Sequence, residues 1–443
     1  MARTVNVSEI IDGHKLSRFQ IGIIAWCLIV ALIDGFDALS IAFAAPLMAK
    51  DLAIPINAFG PIFGAGTLGL TVGALTLPVL ADRFGRKAMI ILACVIFGIL
   101  TLATVLADSF SSLLLIRLAT GLGVGAATPN CVALATEYAP RRMRSFLVTI
   151  VTSGFPLGAV VGGAISAQLI PVWGWHAVFY LGGISPLVLA AVLLVVLPES
   201  IRFLVDRDPS SPHIARYLKR IAPEITTAPV DRFAIDEPHL GGFTVKHLFT
   251  DGRGSVTLLL WVAFFMNLLL LFFMFNWLPP VMQQAGAPIK IAIIATVLFN
   301  LGGVVGGLVL GWLADRHSPH KVLWITYGFG AICVGSIGFL GFSIPLIMSV
   351  IMVAGFCGVG GQSVANALAA TSYPTSMRAT GIGWALGIGR AGSIVGPVVG
   401  GIALSLGFDL RDIFLTAAVP ALVAALAIAL LGRLVRARAA SGR

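Results

Sequence analysis

Asp34 and Asp37 stand in the run Leu32-Ile33-Asp34-Gly35-Phe36-Asp37-Ala38-Leu39, inside a stretch from 19 to 46 that is otherwise almost wholly apolar. At a spacing of three they share one helix face. A carboxylate in the hydrocarbon layer costs several kcal/mol unless it is paired, wetted or protonated. Two so close in low dielectric cannot both stay ionised cheaply, so one is expected to take up and release a proton. Two cations lie at comparable depth. Arg117 sits about two turns into the fourth apolar run and can neutralise one of the aspartates. Arg390 sits in the eleventh, roughly 18 Å deep at ~1.5 Å per residue, too deep for its head to reach water. The later runs hold no carboxylate in their interiors. A buried guanidinium without an acid needs an anion, and the carboxylate of a small molecule makes a two-pronged match. These residues point to proton chemistry at Asp34, Asp37 and Arg117 and to anion recognition at Arg390.

The elements that must hold them are membrane spans. Of 443 residues 58% are hydrophobic and 11% charged, against roughly a quarter charged in soluble domains. Spans of about 20 apolar residues are expected at 19–46, 59–80, 88–106, 111–136, 145–170 and 177–197. Six more are expected at 255–278, 291–314, 322–342, 345–371, 379–406 and 413–431. The fold class is thus an all-α integral membrane protein with two six-helix halves. Residues 1–18 form a cytoplasmic N-terminal segment, 19–197 and 255–431 the halves, 198–254 a cytoplasmic linker with a helix near Ile214–Ile221, and 432–443 a basic tail. The lysines and arginines behind the net charge of +10 cluster in alternate loops, the intervening ones holding little beyond Lys50, Lys290 and Arg411; this positive-inside pattern places both termini in the cytoplasm and leaves no case for nucleic acid. No cleavable signal peptide is expected at the start of the chain.

The halves repeat. Leu80-Ala81-Asp82-Arg83 returns as Leu313-Ala314-Asp315-Arg316, Pro140 to Arg144 as Pro374 to Arg378, and Gly154…Gly158…Gly162-Gly163 as Gly392…Gly396…Gly400-Gly401. A duplicated bundle of this kind is a carrier architecture with its substrate at the midplane between halves. Asp82, in a loop with Arg83 and Arg86, can rest against a helix N-terminus of the other half and latch that face shut. Asp82, Arg83, Arg86, Arg144, Asp315, Arg316 and Arg378 are therefore candidate gating residues. The glycine ladders read as packing faces forming a hinge-like interface between halves. Amides and tryptophans in apolar spans (Asn130, Gln168, Asn267, Asn276, Trp277, Asn300, Gln362, Asn366 and Trp384) are inter-helix glue or cavity lining; Asn130, Gln362, Asn366 and Trp384 are the candidate substrate contacts beside Arg390. His176, after Trp173-Gly-Trp175, reads equally as an interfacial residue or part of a proton path. The five cysteines fall in apolar runs without metal-ligand spacing, and no nucleophilic, metal or phosphate-cradling motif supports an enzyme. No cofactor is expected, because a proton gradient supplies the driving force.

The loop Pro78-Val-Leu-Ala-Asp82-Arg83-Phe-Gly85-Arg86-Lys87 resembles the signature G-x-L-A-D-R-x-G-R-K of the major facilitator superfamily, with Pro78 for the leading glycine; the second copy lacks the Gly-Arg pair. Further strings narrow the resemblance: Asp34-Gly-Phe-Asp37; Arg117-Leu-Ala-Thr-Gly121-Leu-Gly123-Val-Gly125 with Pro129-Asn130 and Glu137-Tyr138; and Gly381-Ile-Gly-Trp384-Ala-Leu-Gly387-Ile-Gly389-Arg390. Together they are similar to the aromatic acid:H⁺ symporter family, in particular its 4-hydroxybenzoate and protocatechuate carriers. The resemblance implies uptake of a small aromatic carboxylate with protons across a bacterial inner membrane, by a monomer. It makes Asp34, Asp37, Arg378 and Arg390 essential, Asp82 and Arg86 gating, and Arg117 and Glu137 important ends of the fourth span, Glu137 joining the candidate gating residues. Carriage of benzoate, hydroxyphenylpropionate, muconate or a non-aromatic acid, and a second role as a chemosensor, stay open alternatives.

Overall fold

In hydrocarbon every backbone N–H and C=O must find a partner within the protein, and a helix satisfies them inside one segment. The computed structural model describes residues 4–224, 232–234, 245–250, 252–340, 343–374 and 377–440. The expected end of the ninth span at 341–342, residues 375–376 of the repeated loop and most of 225–244 lie outside them. Among the described residues twelve helices are long and apolar enough to cross a membrane. In the first half these are α2 (Arg18–Asp51), α3 (Phe59–Phe84), α4 (Arg86–Ala103), α5 (Phe110–Tyr138), α6 (Arg144–Trp173) and α7 (His176–Val196). In the second they are α10 (Gly254–Gln284), α11 (Ile289–Arg316), α12 (Pro319–Ser336), α13 (Ile344–Ser372), α14 (Arg378–Ser405) and α15 (Leu410–Ala440). Short helices α1 (Val7–Gly13), α8 (Ile201–Arg207) and α9 (Pro212–Ile221) lie outside the bundle, with one parallel pair of strands, β1 (Thr4–Asn6) and β2 (Arg232–Ala234).

The helices pack by the same plan in both halves: α2 on α6, α3 on α5 and α4 on α7 are matched by α10 on α14, α11 on α13 and α12 on α15. Glycines set the closest approaches. Gly158 meets the backbone of Leu32, and Gly392 and Gly396 meet those of Phe265 and Leu269, so a methyl group at any of them would strike a neighbouring main chain. The ladders thus bind helices within a half, where the sequence suggested a hinge between halves. Only the last glycine of each crosses: Gly163 meets Val297, and Gly401 meets Asn57 and Gly60.

Those crossings lie at one end of the bundle, the far face, opposite the termini and the long connection between α7 and α10. There Phe63 and Trp277 meet edge to face at 5.4 Å, and Lys290 donates to Gln168 at 3.2 Å. Towards the other end, the linker face, the same helices part. A Cβ on Gly383 or Gly387 of α14 would meet nothing within 4 Å, and Leu75 and Val79 of α3 are exposed. The structure is closed at the far face and open at the linker face.

Most of the described connection clings to the first half. Ile201, Val205, Ile214, Leu218, Ile221 and Phe233 share one buried cluster with Val7, Ile11 and helices α2, α4, α5 and α7. Asp12 holds Arg141 at 3.3 Å, and Gln20 donates to the Tyr138 carbonyl at 2.7 Å. By contrast Leu248 belongs to the core of the second half.

Candidate functional site

Asp34 and Asp37 are 2% and 1% exposed at the middle of α2. Each carboxylate has its own hydroxyl from a neighbouring helix: Thr128 of α5 donates to Asp34 Oδ2, and Thr101 of α4 donates to Asp37 Oδ1 at 2.5 Å. Arg117 donates through Nη2 to Thr104 Oγ1 at 2.7 Å, and its guanidinium lies 4.7 Å from the centroid of the Phe179 ring. Asp34 Oδ1 and Arg117 Nε are buried without a hydrogen-bond partner, so the cluster retains capacity for water or ligand.

The two acids face different cations. Asp37 interacts electrostatically with Arg117 of its own half, while Asp34 interacts with Arg390 across the interface. Neither pair closes to within 4 Å among the described residues. Among the described residues the acid acting on Arg390 is Asp34, which comes from the other half. Its guanidinium makes no hydrogen bond among the described residues.

A narrow cavity of about 50 Å³ lies between the halves beside this cluster, against Asp37, Arg117, Phe63, Phe155, Phe275 and Asn276. In this conformation it has room for water, since a water needs about 10–15 Å³ of such volume, and a ring would require the phenylalanines to turn. Nearby in the second half an amide ladder runs from Asn267 to Gln362 (2.7 Å) and on to Asn366 (3.0 Å). Asn130 is buried with its amide donated to the Ala126 carbonyl, and does not reach the cavity. Trp384 stacks on Trp261 at 5.8 Å, exposed towards the linker face. His176 stacks on Trp175 at the far face, at the start of α7. The sequence reading missed Thr101, Thr104, Thr128 and Phe179.

Of the candidate gating residues, Asp82, Arg86 and Glu137 form a network within the first half. Arg86 Nε pairs with Glu137 Oε1 at 2.7 Å, Ser200 donates to the other Glu137 oxygen, and Asp82 stands 3.7 Å from Arg86. Glu199 Oε1 accepts from the Lys87 amide at 3.0 Å, an anion seated on the N-terminus of α4. Asp82 is 76% exposed and does not rest on a helix of the other half, as the open linker face requires. Arg83 leans on Phe84, and Arg144 Nε is buried beside Glu137 and Asp12. In the second half Asp315 is exposed, Arg316 lies 4.1 Å from the Trp312 ring, and Arg378 is exposed at the start of α14.

The chain matches the family model described as Major Facilitator Superfamily over residues 27–361 and 292–442. It is 40% identical to a gallate transporter of Pseudomonas putida, covering 96% of this chain and 94% of that one. It is 38% identical to the 4-hydroxybenzoate transporter PcaK of Pseudomonas putida (98% and 97% covered) and 32% identical to a benzoate transport protein of Acinetobacter baylyi (96% and 92%). Among solved structures, a bacterial homologue of the human lysosomal transporter Spinster in an inward-facing, unoccupied conformation superposes with a TM-score of 0.76 at 17% identity, covering 94% of this chain and 97% of that one. A D-xylose-proton symporter superposes at 0.70 and 16% identity, with 92% and 97% covered. At such identities the superpositions speak for the fold.

Proposed function

We propose that this chain, which belongs to the Major Facilitator Superfamily and is a transporter rather than an enzyme, carries a small aromatic carboxylate together with protons. Relatives named for gallate, 4-hydroxybenzoate and benzoate support an aromatic acid, and the first two support one bearing ring hydroxyls, such as 4-hydroxybenzoate, protocatechuate or gallate. The observation that carries the coupling is Asp34 facing Arg390 across the interface.

Asp34, when ionised, draws on the charge of Arg390; when protonated, it leaves the guanidinium to a substrate carboxylate. Proton and anion therefore enter together and leave together. Asp37 and Arg117 keep the remaining charge neutral, Gln362 and Asn366 offer donors for ring hydroxyls, and the phenylalanines supply faces for the ring. Alternating access would pass from an outward-open state, with Asp82 latched, to the state open at the linker face. On the positive-inside argument that face is cytoplasmic, in a bacterial inner membrane. We take 198–254 as the connection between halves, and the working unit as a monomer driven by the proton gradient without a cofactor. The test is uptake of labelled 4-hydroxybenzoate into proteoliposomes with and without an inward proton gradient, with gallate and benzoate as competitors. Uptake indifferent to the gradient overturns the coupling, and no uptake of any aromatic acid overturns the substrate class.

A further inference from the structure

We propose that a basic pocket between α12 and α15, remote from the transport site, binds the phosphate of an anionic phospholipid in the leaflet at the linker face. The pocket is a cavity of about 400 Å³ against Ser318, His320, Lys321, Trp324, Arg433 and Arg436. It contains no carboxylate. Asp315, the acidic residue nearest to it in sequence, is exposed at the end of α11, and Arg316 is turned onto Trp312. His320 Nε2 is buried there without a hydrogen-bond partner. Arg436 uses Nε on the Gly432 carbonyl at 3.1 Å, which leaves its terminal nitrogens for a ligand. Gly432 lets the helices close: a Cβ there would stand 3.0 Å from that of His320.

The internal repeat supplies the reason to expect an anion. In the first half the matching place, between α4 and α7, holds one already, the Glu199 carboxylate on the Lys87 amide. Glu199 and Arg433 lie equally far beyond Pro186 and Pro420, the prolines within α7 and α15. Where the first half carries its own anion at a helix N-terminus, the second half carries a cation, so the anion must come from outside. A lipid fits because the pocket opens at the bilayer edge. Among the described residues the main packing of α12 and α15 is within their own half, and Trp324 (44% exposed) and Val435 (39%) flank the opening as an interfacial aromatic and an apolar wall. Basic pockets between spans at such a face suit phosphate headgroups.

The experiment compares the full-length protein in phosphatidylcholine nanodiscs with and without a quarter phosphatidylglycerol, reading lipid retention by native mass spectrometry and unfolding temperature. Phosphatidylglycerol should be retained and should raise the unfolding temperature. Arg433→Ala with Arg436→Ala should lower retention on the order of tenfold. Lys219→Ala with Lys246→Ala, exposed lysines away from the pocket, should retain the lipid as the unmodified chain does. If the arginine pair prevents folding, Lys321→Gln with Arg433→Gln reads the same loss. Unchanged retention in the pocket variants overturns the site, and an equal rise in unfolding temperature with free glycerol phosphate overturns the lipid.

Discussion

The two halves share a plan of helix pairs but treat buried charge differently. In the first half each ionisable group of the cluster has a hydroxyl of its own: Thr128 for Asp34, Thr101 for Asp37 and Thr104 for Arg117. In the second, the Arg390 guanidinium has no hydrogen bond among the described residues, and the charge acting on it, Asp34, belongs to the other half. Groups held by hydroxyls keep their place through a transport cycle, whether charged or protonated. A charge left unheld is available to whatever enters, so one half keeps a standing arrangement and the other presents a vacancy to the ligand.

The strongest way to break this contrast is Arg390→Gln. Gradient-driven uptake in proteoliposomes should fall at least about 100-fold, as when a buried charge pair loses one member, and binding of 4-hydroxybenzoate by calorimetry should vanish with it. Persistence of binding would show that Arg117 holds the anion instead. Asp34→Asn comes next. It mimics the protonated acid, so binding should be as tight as in the unmodified chain and flat with pH, while accumulation drops by around 50-fold, within the usual range of coupling energies. Binding that still varies with pH would move the proton to Asp37. Gly401→Leu overpacks the far-face crossing at Asn57 and Gly60; at about 1–3 kcal/mol it should cost roughly tenfold in uptake. It should also slow thiol labelling of a cysteine placed at Gly387, as the linker face closes in compensation. Thr101→Val is the mildest: removing one held hydroxyl costs ~1 kcal/mol net, about fivefold in uptake, with binding unchanged.

The twelve helices were legible because apolar runs of spanning length have no other outcome in lipid, and their bounds fall within about six residues of the expected ones except at the end of α15, which continues to Ala440. The charges were legible for the same reason, since each stands out against its surroundings. Their hydroxyl partners were not. Thr67 and Thr71 bond the carbonyls of Phe63 and Thr67 within their own helix, and nothing in sequence separates them from Thr101 or Thr128, which reach across to carboxylates. Nor could spacing show that Asp34 turns to Arg390 and Asp37 to Arg117, because that depends on how α2 is rotated against α5 and α14. The ladders misled as to partner: small residues announce a close approach but not which helix approaches. In the connection, the apolar positions of Ile214–Ile221 revealed α9, whereas α8 is a single short helix whose two buried residues, Ile201 and Val205, carry little periodic signal.

The pairing of Thr4–Asn6 with Arg232–Ala234 also orders events in time. A ribosome that has made β1 must still make all six helices of the first half before β2 exists, roughly 10 to 50 s later at about 5–20 residues per second. Throughout that interval β1 has no strand to join. Its closure therefore waits on synthesis of the whole first half, and the pair ties the start of the chain to the connection that follows α7.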